Sequence, residues 1–364
     1  MHISFRTDAS VQIGTGHVMR CLTLADALRE RGAQCTFVCR PHTGHLLDAI
    51  AQRGHTAHAL PRVGLVGNAN VADPTHAAWL GTDWQSDAKD MIEVMGAEHT
   101  DWLVVDHYAL DRRWEQALRP HCQRLMVIDD LADRPHDCDL ILDQNLGRTI
   151  ADYDHLLGPC SEAFMGPQYA LLRPEFSQFR SRSLSRRKAP QLKQLLITMG
   201  GVDKDNATGH MLDVLRICSL LPELTITVVM GPNAPWLKQV KENAASMPWP
   251  TQVLVGVSNM AELMAECDLA IGAAGGTAWE RCSLGVPSLI LVLAENQQEG
   301  ANALQQAGAA IPLQSPVQIM QWMQSLSTPE AISTRLQSMA QAAARVTDGT
   351  GTDKIVERMI SAHA

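Results

Sequence analysis

Two kinds of apolar pattern alternate along this chain. "HISFRT" opens it as a strand. Val18, Cys21, Leu22, Ala25 and Leu28 then follow the i, i+3/i+4, i+7 rule, which predicts a helix over about 17–31, with Gly32 suited to its stop. "CTFVC" (35–39) reads as the next strand. "WLVVDH" (102–107), "LMVIDD" (125–130) and "LILDQN" (140–145) are short apolar runs that end in polar residues. That is the signature of strands buried in a parallel sheet, with functional groups at their carboxyl ends.

A polar, basic stretch follows, "FSQFRSRSLSRRKAP" (176–190), and reads as a linker. Beyond it the alternation restarts with "QLLITMGG" (194–201), "LTITVVMG" (224–231), "TQVLVG" (251–256), "CDLAIGAAGG" (267–276) and "PSLILVL" (287–293). The tail reads as helix over 316–343 and again over 352–362. The expected organisation is an α/β domain over 1–175, a linker over 176–190, a second α/β domain over 191–345 and a C-terminal helix over 346–364. Each domain is expected to be a doubly wound sheet. The length of 364 residues suits two domains.

Charge and cysteine content narrow the function classes. A net charge of −9 argues against general nucleic-acid binding, while a local anion site stays compatible with it. No apolar run reaches the roughly 18 residues a membrane span needs. The start shows no signal-peptide pattern, so a cytoplasmic location with nine reduced thiols is expected. Cys35, Cys39, His42 and His45 do not read as a metal site, since Cys35 and Cys39 stand roughly 13 Å apart along a strand. "DCD" (137–139) reads as surface carboxylates at a strand start. No metal and no cofactor is expected.

Three glycine loops follow predicted strands: "IGTGH" (13–17), "MGGVD" (199–203) and "GAAGGTAWE" (272–280). Gly14, Gly16, Gly200, Gly201, Gly275 and Gly276 allow close approach to the backbone, and adjoining helix starts favour phosphate. Neither G-x-G-x-x-G in its usual place nor a P-loop is present, so nicotinamide and P-loop chemistry are disfavoured. If Thr277 opens a helix, Glu280 either reaches ribose hydroxyls or closes a capping box with Thr277. His17 at a helix start is a candidate base, because positive potential there disfavours the imidazolium. Asp8 and Asp106 stand near strand ends, where each either orients His17, binds a sugar hydroxyl or is structural. Arg20, one turn after His17, faces either a diphosphate or solvent.

Taken together, several stretches resemble the UDP-2,4-diacetamido-2,4,6-trideoxy-β-L-altropyranose hydrolases of pseudaminic acid biosynthesis. They are "RTDASVQIGTGHVMRCLTLA" (6–25), "WLGTDWQSDA" (79–88), "VVDHYALD" (104–111), "VIDDLADRPHDCDLILDQN" (127–145), "GPQYALLRPEF" (166–176), "LITMGGVD" (196–203) and "AGGTAWERCSLGVPSLILVLAENQ" (274–297). That family is itself similar to the GT-B glycosyltransferases, in particular the one that adds N-acetylglucosamine in peptidoglycan synthesis.

The resemblance implies two Rossmann-like domains facing a cleft and hydrolysis of a UDP-sugar at the anomeric carbon. It assigns catalysis to His17, with Tyr108 and Asn296 near the sugar. It also implies that Gly275, Gly276 and Thr277 contact phosphates, Glu280 the ribose, and the backbone near Val257 and Met260 the uracil. A small-molecule UDP-sugar is the expected partner. The alternatives are a GT-B glycosyltransferase, a hydrolysing 2-epimerase on a related diacetamido UDP-sugar, and a non-catalytic UDP-sugar sensor. Residues 58–78 and the tail beyond 300 are the parts the resemblance covers least.

Overall fold

The computed structural model describes residues 1–62, 73–96, 100–218, 223–294, 297–325 and 328–363. The chain forms two compact units, one of Met1–Leu171 with Gly351–Ala364, the other of Leu172–Thr350.

The first unit is built on a seven-stranded sheet: β1 (His2–Thr7), β2 (Gln34–Cys39), β3 (Thr56–Ala59), β4 (Thr100–Asp106), β5 (Cys122–Ile128), β6 (Leu140–Asp143) and β7 (Glu162–Met165). Their order is β3-β2-β1-β4-β5-β6-β7, and every pairing is parallel. Both faces are covered. On β4, Trp102 and Val104 pack into one core and Leu103 and Val105 into another, which is why the strand reads as a continuous apolar run. The helix Gly16–Glu30 buries Val18, Leu22, Ala25 and Leu28 on the sheet, beside Ile355, Val356 and Met359 of the helix Gly351–His363. The Trp102 indole donates to the Met359 carbonyl at 3.2 Å.

The second unit repeats the plan with β8 (Gln194–Thr198), β9 (Thr225–Met230), β10 (Thr251–Val255), β11 (Leu269–Ala273), β12 (Ser288–Leu291) and β13 (Ala310–Leu313). The order is β10-β9-β8-β11-β12-β13, again all parallel. The two sheets therefore share one topological feature. The chain winds outward from β1, then returns to β1's other side as β4; β8 and β11 do the same. Such reversals leave a crevice at the strands' carboxyl ends, the usual ligand position in doubly wound sheets.

One expectation is corrected. The stretch 176–190 is not a free linker: the helix Pro174–Arg186 covers most of it and buries Phe176 and Ser183. Its arginines are engaged: Arg182 and Arg186 pair with Glu266 and Asp268, and two others reach carbonyls at or near helix ends. Arg180 donates to Ser283, Ala344 and Thr347, and Arg187 beyond the helix to Met264 and Gly285. These groups are the orphan acceptors of helix C-termini, where a cation is favoured. The tail forms two helices, Gln318–Gln324 and Pro329–Val346, the second opened by Thr328 accepting from the Ala331 N–H. All nine cysteines are unpaired thiols.

Candidate functional site

In the first unit the reversal point carries a histidine–carboxylate pair. Thr7 and Asp106 stand in register at the ends of β1 and β4. The loop after β1 turns back on itself: the Gly14 N–H donates to the Ser10 carbonyl at 2.8 Å, and Ser10 Oγ accepts from Gln12 and Ile13. Gly14 has φ +84°, so glycine suits that turn. Thr15 supplies no side-chain cap, and the helix begins at Gly16. His17 is thereby delivered to the end of β4, with Nδ1 2.6 Å from Asp106 Oδ1.

Asp106 is fully buried. Burial alone would raise its carboxyl, yet Arg20 and His17 hold it well below the usual range. Arg20 reaches both carboxylate oxygens, Nε to Oδ2 at 2.6 Å and Nη2 to Oδ1 at 2.7 Å. An ionised carboxylate only accepts, so the short contact to His17 requires the proton on Nδ1. In the neutral ring Nε2 then holds the lone pair, the arrangement of an imidazole general base.

A second carboxylate closes the group. Asp130, just past β5, accepts from Tyr108 Oη at 2.6 Å and pairs with Arg20 Nη1 at 2.7 Å. The Tyr108 ring meets the His17 ring edge-on at 4.6 Å. Tyr108 is only 4% exposed and lies under Trp79 and His76. The guanidinium of Arg20 faces neither solvent nor an open anion position; it is divided between Asp106 and Asp130.

Asp8 belongs elsewhere. It is buried against Arg6 at 2.7 Å and accepts from the Arg40 N–H, in a network that includes Asp87 and His107. Its role is structural. Asp137 and Asp139 of "DCD" are partly exposed and pair with Arg119. Among the described residues, no group of three or more His, Cys, Asp or Glu is placed to hold a metal.

In the second unit the glycine loops flank the equivalent reversal. Gly200 (φ +92°) and the exposed Gly201 follow β8, while Gly275 and the exposed Gly276 follow β11. The helix Thr277–Ser283 has no side-chain cap. The capping-box alternative is therefore not realised. Thr277 Oγ1 accepts instead from Arg281 Nη1 at 3.1 Å. Glu280 is partly exposed, and its carboxyl group makes no hydrogen bond among the described residues. Burial pushes its carboxyl up to about 7, against the pull of Arg173 and Arg281. Val257 lies between β10 and the helix Met260–Glu266, which Met260 opens. Asn296 lies outside the described residues.

Sequence reasoning missed Asp130 and Arg281. "DD" after a strand run marked the position of the first. A lone arginine inside "TAWERC" gave no signal for the second.

The fold has clear relatives. Over 99% of both chains it matches MurG of Acinetobacter baumannii, with a TM-score of 0.67 and 17% identity. The fold is GT-B-like. Residues 196–354 match the glycosyltransferase family 28 C-terminal domain. The UDP-2,4-diacetamido-2,4,6-trideoxy-beta-L-altropyranose hydrolase of Campylobacter jejuni is 26% identical over 309 residues, 85% of this chain and 97% of that protein. The uncharacterized protein MJ1062 of Methanocaldococcus jannaschii is 25% identical over 303 residues, and 82% of this chain aligns with only 57% of its length. The spore coat polysaccharide biosynthesis protein SpsG of Bacillus subtilis is 28% identical over 150 residues, 41% of this chain and 43% of that protein. Among solved structures, the spinosyn rhamnosyltransferase SpnG complexed with thymidine diphosphate matches over 99% of this chain and 96% of that one, with TM-score 0.57 and 18% identity. Among the described residues, no helix is long and apolar enough to cross a membrane.

Proposed function

We propose that the protein is a hydrolase that releases UDP from UDP-2,4-diacetamido-2,4,6-trideoxy-β-L-altropyranose. In this reading His17 Nε2 takes a proton from water while the water oxygen bonds to the anomeric carbon. The bond from that carbon to the β-phosphate oxygen breaks, and its electron pair leaves with UDP. The proton held by the imidazolium passes to solvent, restoring the base. Asp106 keeps the ring in the Nδ1–H tautomer and stabilises the imidazolium as it forms. UDP is held by the second unit: Gly275, Gly276 and Thr277 at the phosphates, Glu280 at the ribose, the backbone near Val257 and Met260 at the uracil. The loop after β8, with Gly200 and Gly201, adds backbone donors. Arg20 acts through Asp106, and the loop around Gly14 and Gly16 serves to deliver His17.

The observation that carries the reading is the 2.6 Å His17–Asp106 pair at the strand reversal, in a chain that spans 97% of the Campylobacter hydrolase. The Glu280 carboxyl, without a hydrogen-bonding partner among the described residues, supports the ribose assignment. The test is incubation with a panel of UDP-sugars, this one included, without any acceptor, followed by NMR. Free 2,4-diacetamido-2,4,6-trideoxy-L-altrose and UDP are expected. A product inverted at C2 would instead indicate an epimerase.

The second reading is a GT-B UDP-sugar glycosyltransferase, favoured by the family 28 match of residues 196–354. It requires an acceptor, so rapid acceptor-free release excludes it.

A further inference from the structure

Buried arginines in this protein follow two patterns, and Arg281 fits neither. Arg6, Arg20 and Arg134 are paired with aspartates. Arg187 and the half-buried Arg180 saturate carbonyls at or near helix ends. Arg281 is 1% exposed and forms no ion pair among the described residues. Its Nη2 donates to the Ala273 carbonyl at 2.7 Å, its Nη1 to Thr277 Oγ1 at 3.1 Å, and its Nε has no partner. Gly272 makes room for it, since a Cβ there would lie 2.7 Å from Nη1. In register with Thr198 of β8, Gly272 sits at the reversal itself.

A buried cation without a counter-charge is costly, and the cost falls when an anion arrives. The hydroxyl it holds matters equally. A guanidinium only donates, so Thr277 Oγ1 must accept from it. The Thr277 hydrogen is then turned away from Arg281 and left free to donate to a ligand. The carboxyl next in sequence, Glu280, is pushed up to about 7 by burial, so near neutral pH it offsets only part of the positive charge.

We propose that Arg281 is a positioning residue for a nucleoside diphosphate: its buried charge lies under the 272–277 loop, and its grip on Thr277 aims that hydroxyl at the ligand's phosphate oxygens. This rests on reading the loop as the diphosphate site. Its support is the combination of an orphaned Nε, an unpaired buried charge and a hydroxyl fixed as acceptor.

The experiment compares UDP and UMP binding by calorimetry in the wild type, Arg281→Met, Thr277→Val and the double variant, with thermal melts of each free protein. Methionine fills similar volume without charge, so the free Arg281→Met protein should melt near the wild type. Its UDP affinity should fall roughly 10- to 100-fold, the scale of a hydrogen bond to a charged group. UMP should lose less, shrinking the preference for UDP. Thr277→Val should also weaken UDP, and the double variant should bind no worse than Arg281→Met, because the hydroxyl acts through the arginine. UDP binding unchanged in Arg281→Met overturns the proposal. So does an unstable Arg281→Met protein together with a Thr277→Val protein that binds UDP normally. A wild type that binds UDP but cleaves no UDP-sugar would sink the hydrolase reading and leave this assignment intact.

Discussion

His17 Nδ1 lies 2.6 Å from Asp106 Oδ1, although 89 residues separate them in sequence. The pair forms because β1 and β4 are neighbours at the point where the sheet's strand order reverses. Replacing either partner should have a distinct effect. His17→Asn should bind UDP like the wild type and lose most hydrolysis. Asp106→Asn offers Nδ1 a group that can donate, which favours the wrong tautomer; kcat should fall about 100- to 10,000-fold. Asp106→Asn should also melt earlier, since Arg20 loses its bidentate partner. Steady-state kinetics with calorimetric UDP binding checks both, and full turnover by His17→Asn removes it from the mechanism.

Tyr108 Oη is committed to Asp130, and the residue is 4% exposed. We expect it to hold Asp130 and to buttress the His17 ring. Tyr108→Phe keeps the edge contact and drops only the hydroxyl. A loss of about tenfold or less in kcat is expected, with KM little changed. Asp130→Asn should act through the same contacts, so the double variant should fall well short of the product of the two single losses. Strictly multiplicative losses would show that the two residues act separately.

Glu280 bears on both ligand binding and pH. If ribose hydroxyls donate to it, as proposed, Glu280→Ala should weaken UDP about tenfold. In the free protein its carboxyl sits near 7, raised by burial above the roughly 4.3 of an unfolded chain. The folded state therefore keeps a proton that the unfolded state has already released. Stability from this group is fully present below about pH 4 and is lost as pH rises through 7. Glu280→Gln should flatten that decline, which chemical denaturation at pH 5.5, 6.5 and 7.5 would reveal. An equally steep decline in the variant contradicts the assignment.

The sequence showed what is buried on both faces and hid what lies at the edges. β4, β8 and β11 appear as apolar runs because helices cover both sides, while β1 shows itself by Ile3 and Phe5. β3, β7 and β13 escaped notice: each is a four-residue strand at a sheet edge, and "TAHA" or "EAFM" carries no apolar run to detect. The linker reading failed for a related reason. Arginines over 176–190 look solvated in sequence, but Arg180 and Arg187 serve carbonyls at or near helix ends roughly 80–170 residues away, a relationship no local pattern carries. His17 and the glycine loops were legible because their chemistry is local to a strand end. The partner of His17 was not: Asp8 and Asp106 are equivalent on paper, and only the neighbouring of β1 with β4 gives the histidine to Asp106 and leaves Asp8 to Arg6.

Asp143 supplies a second pH-dependent element, in the first unit. Tyr153 Oη lies 2.9 Å from both Asp129 Oδ2 and Asp143 Oδ2. One hydroxyl hydrogen cannot serve two ionised carboxylates, so one of them carries a proton of its own. Asp129 is held well below the usual range: burial works against ionisation, but Arg134 and His136 overcome it. Burial, followed by the charge of Asp130, pushes Asp143 up to about 7 against the pull of the Asn145 N–H and of Arg148, whose Nε lies 2.9 Å from Oδ2, so Asp143 is the partner that takes up a proton more readily. As with Glu280, a raised carboxyl means stability fully present below about pH 4 and lost as pH climbs through 7. Asp143→Asn mimics the protonated form toward Tyr153 and cannot ionise. Its unfolding free energy should fall less between pH 5.5 and 8 than that of the wild type, by on the order of 1–2 kcal/mol. Denaturation curves at those pH values decide it, and parallel pH slopes for variant and wild type would place the shared proton elsewhere.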